Sequence, residues 1–320
     1  MSARSPSILF GAALAGALVL AAPAKAEDTW SKLLDPAGLA ALEEKIDPVV
    51  LDIRTAEAFA KGRIPGAVNA PHAQWRGPPD NAGALPSDAR LSELVGGSGI
   101  DATTPVVVVH QGADARDFGG AARVYWKLMS LGVEQIAILN GGLNAWTAAG
   151  KPLSTEPVRH VPRIFEARFS DEWRARAENI ERAIERGDAR LIDARQTGYF
   201  EGRFMSAAAT RPGTLPTAEN LHYETWFVDG GPLMVDAERA RAIAERAGLH
   251  GGAPLVSFCN TGHLAASSWF ALSQLAGLEG VTLYPESVVE WTQQGRAVVN
   301  TPGRIEWLFL STRQWLDGIF

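Results

Sequence analysis

The sequence predicts an α/β protein made of two tandem domains, each a parallel sheet flanked by helices. Three observations carry that prediction. A strand ending in Asp-x-Arg occurs at Val49-Val50-Leu51-Asp52-Ile53-Arg54 and again, 141 residues later, at Arg190-Leu191-Ile192-Asp193-Ala194-Arg195. Each copy is followed by an unbroken run, Val106-Val107-Val108-Val109 and Leu255-Val256-Ser257-Phe258, of the kind that a strand covered on both faces requires. Each run leads into a helical stretch, and each half closes on a strand and a Trp-Thr pair, Trp146-Thr147 and Trp291-Thr292. Strands alternating with helices favour a parallel sheet, because parallel neighbours need a crossover, and one order of elements used twice marks a duplication.

The elements follow in order. Arg4 precedes an apolar stretch over 8–22, and small residues at Ala24 and Ala26 suit cleavage before Glu27, so 1–26 is expected to be a signal peptide and the product periplasmic. The N-terminal domain is placed at 27–155 and the C-terminal domain at 156–320, joined where Pro152, Pro157 and Pro162 interrupt periodic structure. Within the first half, Gly62-Arg63-Ile64-Pro65-Gly66-Ala67 reads as a turn, with a looser echo at Thr210-Arg211-Pro212-Gly213-Thr214. Helical segments at 121–126 and 265–270 occupy matching places. The tail over 302–320, with Trp307, Phe309, Leu310 and Trp315, is apolar enough to be a helix docked on the body of the protein.

Composition narrows the function. The formal charge is −6, and loss of 1–26 removes Arg4 and Lys25 and no acid, leaving −8 on the mature chain. No basic stripe follows that could track a phosphate backbone, which argues against a nucleic-acid partner. Cys259 is the one cysteine, so neither an internal disulfide nor a Cys-rich metal site can form. The histidines at 72, 110, 160, 222 and 250 show no metal-ligand spacing, and no metal or cofactor is expected.

The Leu-Asp-x-Arg strand, the Gly-x-Ile-Pro-Gly-Ala turn, the strand ending at a loop cysteine and the closing Gly141-Gly142-Leu143-Asn144-Ala145-Trp146 resemble the rhodanese family of sulfurtransferases. The resemblance spans nearly all of 28–300 and is to the tandem form typical of thiosulfate and 3-mercaptopyruvate sulfurtransferases. It implies a catalytically silent N-terminal domain. Gln111 is read as the position matching Cys259, with a loop four residues longer before the helix.

The chemistry can also be argued from residues. Cys259, between a strand end and a helix start, lies where backbone N–H groups stabilise an anion, and a thiolate there can accept sulfur and hold it as a persulfide. The loop Asn260-Thr261-Gly262-His263-Leu264 can curl so that successive N–H groups face the sulfur, with Gly262 permitting the turn. Asn260 and Thr261 are either hydrogen-bond donors to substrate or loop caps. Arg195, at the carboxyl edge of its strand, either grips the anionic part of the donor, the role that the resemblance implies, or braces the strand end with Asp193. His263 either adds charge to the site or packs at the domain interface. The expected partners are a small anionic sulfur donor, thiosulfate before mercaptopyruvate, and a thiophilic acceptor such as cyanide or a thiol. A persulfide carrier serving a protein partner is the alternative. Phosphatase chemistry on this fold needs an Arg closing the cysteine loop, and the sixth residue after Cys259 is Ala265.

Overall fold

The computed structural model describes residues 30–312 apart from 159, 251, 304, 305, 308 and 311. The expected signal peptide and most of the tail lie outside the described residues. Strand β1 is Leu33–Leu34, α1 Pro36–Glu43, β2 Val49–Asp52, α2 Ala56–Lys61, β3 Val68–Asn69, α3 Asp88–Gly97, β4 Val106–Val109, α4 Ala115–Ser130, β5 Ile136–Leu139 and α5 Gly142–Ala148. The second half follows with α6 Ala177–Arg186, β6 Arg190–Asp193, α7 Thr197–Phe200, β7 Glu219–Asn220, α8 Ala237–Arg246, β8 Leu255–Phe258, α9 His263–Trp269, β9 Val281–Leu283 and α10 Ser287–Gln293. Side-chain oxygens of Asp35, Thr55, Ser87, Asp114 and Asp236 cap the starts of α1, α2, α3, α4 and α8, satisfying N–H groups that a helix start leaves unpaired.

The strands form two wholly parallel sheets, ordered β1-β5-β4-β2-β3 and β7-β6-β8-β9. β4 and β8, buried along their whole length, sit inside their sheets, as two-sided cover demands. The carboxyl edge of β8 therefore ends at Cys259 and that of β6 at Asp193 and Arg195, on the side where ligands of open parallel sheets bind.

The two halves repeat each other in hydrogen bonds as well as in order. Ile53 N–H donates to Val109 O at 2.9 Å, and Ala194 N–H donates to Phe258 O at 2.9 Å. Asn69 spans the Asp52 and Arg54 carbonyls as Asn220 spans those of Asp193 and Arg195. This register corrects two sequence readings. Arg54 reaches the Gly62 carbonyl where Arg195 reaches that of Gly213, so Gly213-Thr214-Leu215-Pro216, and not the Pro-Gly before it, repeats Gly62-Arg63-Ile64-Pro65. Thr217 then adopts φ 63° where Gly66 adopts 77°. The second correction concerns the cysteine. Leu143 and Asn144 donate to the carbonyls of His110 and Gln111 as Val288 and Val289 donate to those of Cys259 and Asn260, which makes His110, not Gln111, the counterpart of Cys259. The loop before the helix, 111–114 against 260–262, is one residue longer, and the other extra residues extend the helix. α4 runs 16 residues, whereas α9 runs 7 and continues through a 6-residue π-helical segment, Phe270–Leu275.

The halves share one core. α4 lies along α9, and Phe118, Tyr125, Phe227, Trp269 and Phe270 interlock there edge to face or tilted, with Phe118 to Phe227 at 5.4 Å and Tyr125 to Phe270 at 5.0 Å. The buried apolar cluster runs without a break from Leu51 and Val108 in the first sheet to Leu255 and Leu283 in the second. Between them the connecting chain crosses the first half, Arg163 N–H donating to Gly96 O at 2.9 Å and Ser170 N–H to Ser130 O at 2.8 Å. Among the tail's described apolar residues, Trp307 and Leu310 are half-buried and Phe309 is exposed. Among the described residues, no helix is long and apolar enough to cross a membrane.

Candidate active site

Cys259 follows β8 directly and is 1% exposed. Its backbone is clamped from the start of α10: Cys259 N–H donates to Ser287 Oγ at 3.1 Å, Ser287 Oγ–H donates to Tyr284 O at 2.7 Å, and Val288 N–H donates back to Cys259 O at 3.2 Å. The next residues turn sharply. Gly262 adopts φ 67°, and a Cβ there would stand 2.4 Å from Pro285 O and 2.6 Å from Arg123 Nη1, so the position has neither the conformation nor the room for a side chain. The amides of Asn260, Thr261, Gly262, His263 and Leu264 donate to no protein acceptor among the described residues. Five consecutive amides that follow a thiol and have no protein acceptor among the described residues are donors available to anionic sulfur.

The predicted site residues divide into those on this loop and one behind it. Leu264 packs on the shared core. Thr261 Oγ1 accepts from Arg76 Nη2 at 3.3 Å. Asn260 Oδ1 accepts from Arg195 Nη1 at 3.2 Å. Arg195 is 2% exposed and holds Asp193 with two edges, Nε to Oδ1 at 2.9 Å and Nη2 to Oδ2 at 2.5 Å, while Nη2 also donates to Gly213 O. Its hydrogen bonds make it a strut from β6 to the loop, and Arg54 repeats the same strut from Asp52 to Gln111 in the half without a cysteine. His263 faces α4, its Nε2–H donating to Arg116 O at 2.8 Å and its ring 5.3 Å from that of His72. Burial, and then the neighbouring Arg76, push the His263 imidazolium down to about 4. It is neutral at pH 7 and sits in the interface.

Sequence reasoning missed the cations. Arg76, Arg123 and Lys127 all come from the first half yet stand around the second half's loop. Arg123 is 3% exposed, donates through Nη2 to Gly83 O at 2.6 Å, and leaves Nη1 buried with no hydrogen-bond partner among the described residues. Burial lowers its guanidinium to about 10, opposed by Glu286 and then by Cys259. Arg76 is likewise lowered by burial and raised by Cys259. Lys127 is fully buried with Nζ unpartnered among the described residues, and desolvation followed by Arg123 and Arg76 holds its pKa well below the ordinary range. Glu286, 3% exposed and ion-paired to Arg174, is the carboxylate of this cluster. One signal for it is present in the chain: Arg123 and Lys127 lie four apart inside the apolar run of α4, where a solvent-facing charge pair has no place.

At the matching place in the first half the loop is occupied by its own side chain. Asp117 Oδ2 accepts from Gly112 N–H at 2.6 Å and Ala113 N–H at 3.2 Å and lies 2.9 Å from His110 Nδ1. A cavity of about 250 Å³ opens beside it, lined by Ile53, His72, His110, Arg116, Asp117 and His263.

The rhodanese-like domain matches this sequence twice, at residues 35–149 and 176–294. The chain belongs to the rhodanese family. Human 3-mercaptopyruvate sulfurtransferase is 29% identical over 219 residues, 66% of this chain and 70% of the human one. Bovine thiosulfate sulfurtransferase is 29% identical over 213 residues, 65% and 69% of the respective chains. Among solved structures, the anaerobic ergothioneine biosynthesis enzyme from Chlorobium limicola, in complex with trimethyl histidine, shares the fold with a TM-score of 0.72 at 22% identity, over 82% of this chain and 68% of that one. Relatives named for sulfur transfer thus match about two thirds of this chain, and the cysteine-bearing half of this chain is the second.

Proposed function

We propose that Cys259 moves a sulfane sulfur from thiosulfate to a thiophilic acceptor in two displacements. In the first, the thiolate Sγ attacks the outer sulfur of thiosulfate. The sulfur–sulfur bond of the donor breaks, its electron pair leaves with sulfite, and Cys259 holds a persulfide. In the second, the lone pair of cyanide or of a thiolate attacks the terminal sulfur, the persulfide bond breaks, and the Cys259 thiolate returns as thiocyanate or an acceptor persulfide departs. The run of five amides that follows the one cysteine and has no protein acceptor among the described residues carries this reading, since both the thiolate and the persulfide are anions that such donors stabilise.

The cations beside the loop favour thiosulfate, a dianion, over mercaptopyruvate, which carries a single carboxylate charge. The first half, with His110 in place of a cysteine and its loop amides taken by Asp117, serves as scaffold. Export to the periplasm rests on the leader over 1–26, and N-terminal sequencing of the protein recovered from cell fractions, expected to begin at Glu27, tests it. The central test is mass spectrometry of the intact protein after thiosulfate treatment and desalting. Wild type gains about 32 Da, one sulfur atom, and loses it to cyanide. Cys259→Ser gains nothing, and an adduct that persists in that variant overturns the assignment.

A further inference from the structure

We propose that Arg76, carried by the half that has no cysteine, is the residue that grips the anionic end of the sulfur donor, so that the active centre is assembled from both halves. This rests on the sulfur-transfer reading above.

The position of Arg76 is fixed by its neighbours. It follows directly on a 3-10 turn, His72–Trp75, pinned by Trp75, which is fully buried and donates from Nε1 to Ala70 O at 3.1 Å. From there the guanidinium meets the second residue after Cys259, Thr261, through one hydrogen bond of 3.3 Å. Among the described residues that is its one hydrogen bond, and no carboxylate pairs with it. An arginine offers five N–H donors in a planar fork, so most of this one's capacity is unspent. A half-buried cation without a counter-ion, beside a nucleophile that must receive an anion, has the charge and shape to bind a sulfonate or carboxylate edge.

Three other arginines near the loop are committed elsewhere. Arg195 is closed on Asp193, Gly213 and Asn260 at 2% exposure. Arg123 is nearly as deep, holds the Gly83 carbonyl and presses on Gly262 from within. Arg174 is paired with Glu286. Arg195 and Arg123 are buried at 2% and 3% exposure, whereas Arg76 is half-buried with donors unspent.

Two measurements separate this role from a structural one and from the chemistry itself. Thiosulfate binding is measured by calorimetry in Cys259→Ser, where no transfer can occur, with and without Arg76→Gln and Arg76→Lys. Loss of a charge-assisted grip weakens binding about ten- to a hundredfold in Arg76→Gln, and Arg76→Lys recovers part of it. With Cys259 intact, Arg76→Gln raises the thiosulfate KM by a similar factor while discharge of a preloaded persulfide by cyanide slows far less. The melting temperature of each variant reports whether the fold survives. Unchanged thiosulfate binding in a folded Arg76→Gln protein overturns the proposal, as does a discharge rate that falls in step with donor affinity, the mark of a collapsed loop. If wild type binds thiosulfate through Arg76 but forms no persulfide, the sulfur-transfer reading fails and Arg76 is left as an anion contact without a donor role, which distinguishes that failure from loss of the contact itself.

Discussion

His110 and Cys259 occupy one position in two copies of the same framework: each is the residue after its central strand, and each carbonyl accepts from the second residue of the closing helix, Leu143 or Val288. What separates them is the loop that follows. In the first half the carboxylate of Asp117 takes the amides of Gly112 and Ala113, whereas in the second the amides from Asn260 to Leu264 are left without a protein acceptor among the described residues.

A cysteine moved across the repeat is therefore expected to fail. His110→Cys combined with Cys259→Ser should show cyanide-dependent thiocyanate formation no faster than Cys259→Ser alone, because Asp117 both fills the donor ring and repels a thiolate. Adding Asp117→Asn removes the charge and should give a measurable rise from that floor. Wild-type turnover in the first double variant defeats the account.

Arg195 should matter for stability before it matters for substrate. Replacing it with Met leaves the fully buried Asp193 carboxylate without its main partner, with a loss of about 3–5 kcal/mol on the scale of broken buried ion pairs. Urea unfolding of Arg195→Met checks this. The same experiment on Arg54→Met should give a comparable loss, since its pair with Asp52 repeats the geometry in a half with no cysteine.

The turn at Gly262 should tolerate no side chain. Gly262→Ala has to adopt φ near 67° and meets Pro285 O, costing about 1–3 kcal/mol and moving the loop off its amide geometry. Persulfide formation should fall at least tenfold by stopped-flow measurement. Normal kinetics in this variant count against the amide ring as the source of catalysis.

The strands, the duplication and the cysteine loop were legible in the chain because burial on both faces of a parallel sheet writes itself as runs such as Val106 to Val109. The finer register was not. Between Arg195 and Gly213 the second half holds ten more residues than lie between Arg54 and Gly62, and Pro212, at the end of that stretch, makes with Gly213 a chance imitation of Pro65-Gly66. Which residue answers to Cys259 depends on carbonyl partners, which spacing does not reveal. The cations were hidden for another reason: nothing in the order of residues says that α4 lies along α9, so the charges of one half could not be assigned to the other half's site.

Acid should weaken the interface through the histidines buried there. His263 is held at about 4 and His72 at about 2, both below the ordinary value near 6.5, so the unfolded chain binds these protons more tightly than the folded one. The sign follows: stability is full above about pH 6.5 and declines as pH falls toward 4, with His72 extending the loss further down. Thermal melts from pH 7 to 4.5 should show that decline, and it should be shallower in His263→Gln. A slope unchanged by that substitution removes His263 as its source.

The uninterrupted core across α4 and α9 bears on how the molecule comes apart. Two sheets with separate edges suggest two melting units, but residues such as Phe118 and Phe270 belong to both at once. Calorimetry should therefore record a single cooperative transition. A fragment over 156–320, cut free of its twin, should lose the contacts that Phe118 and Tyr125 make to Phe270 and expose that apolar face. The half without a thiol is therefore expected to support the fold of the half that has one.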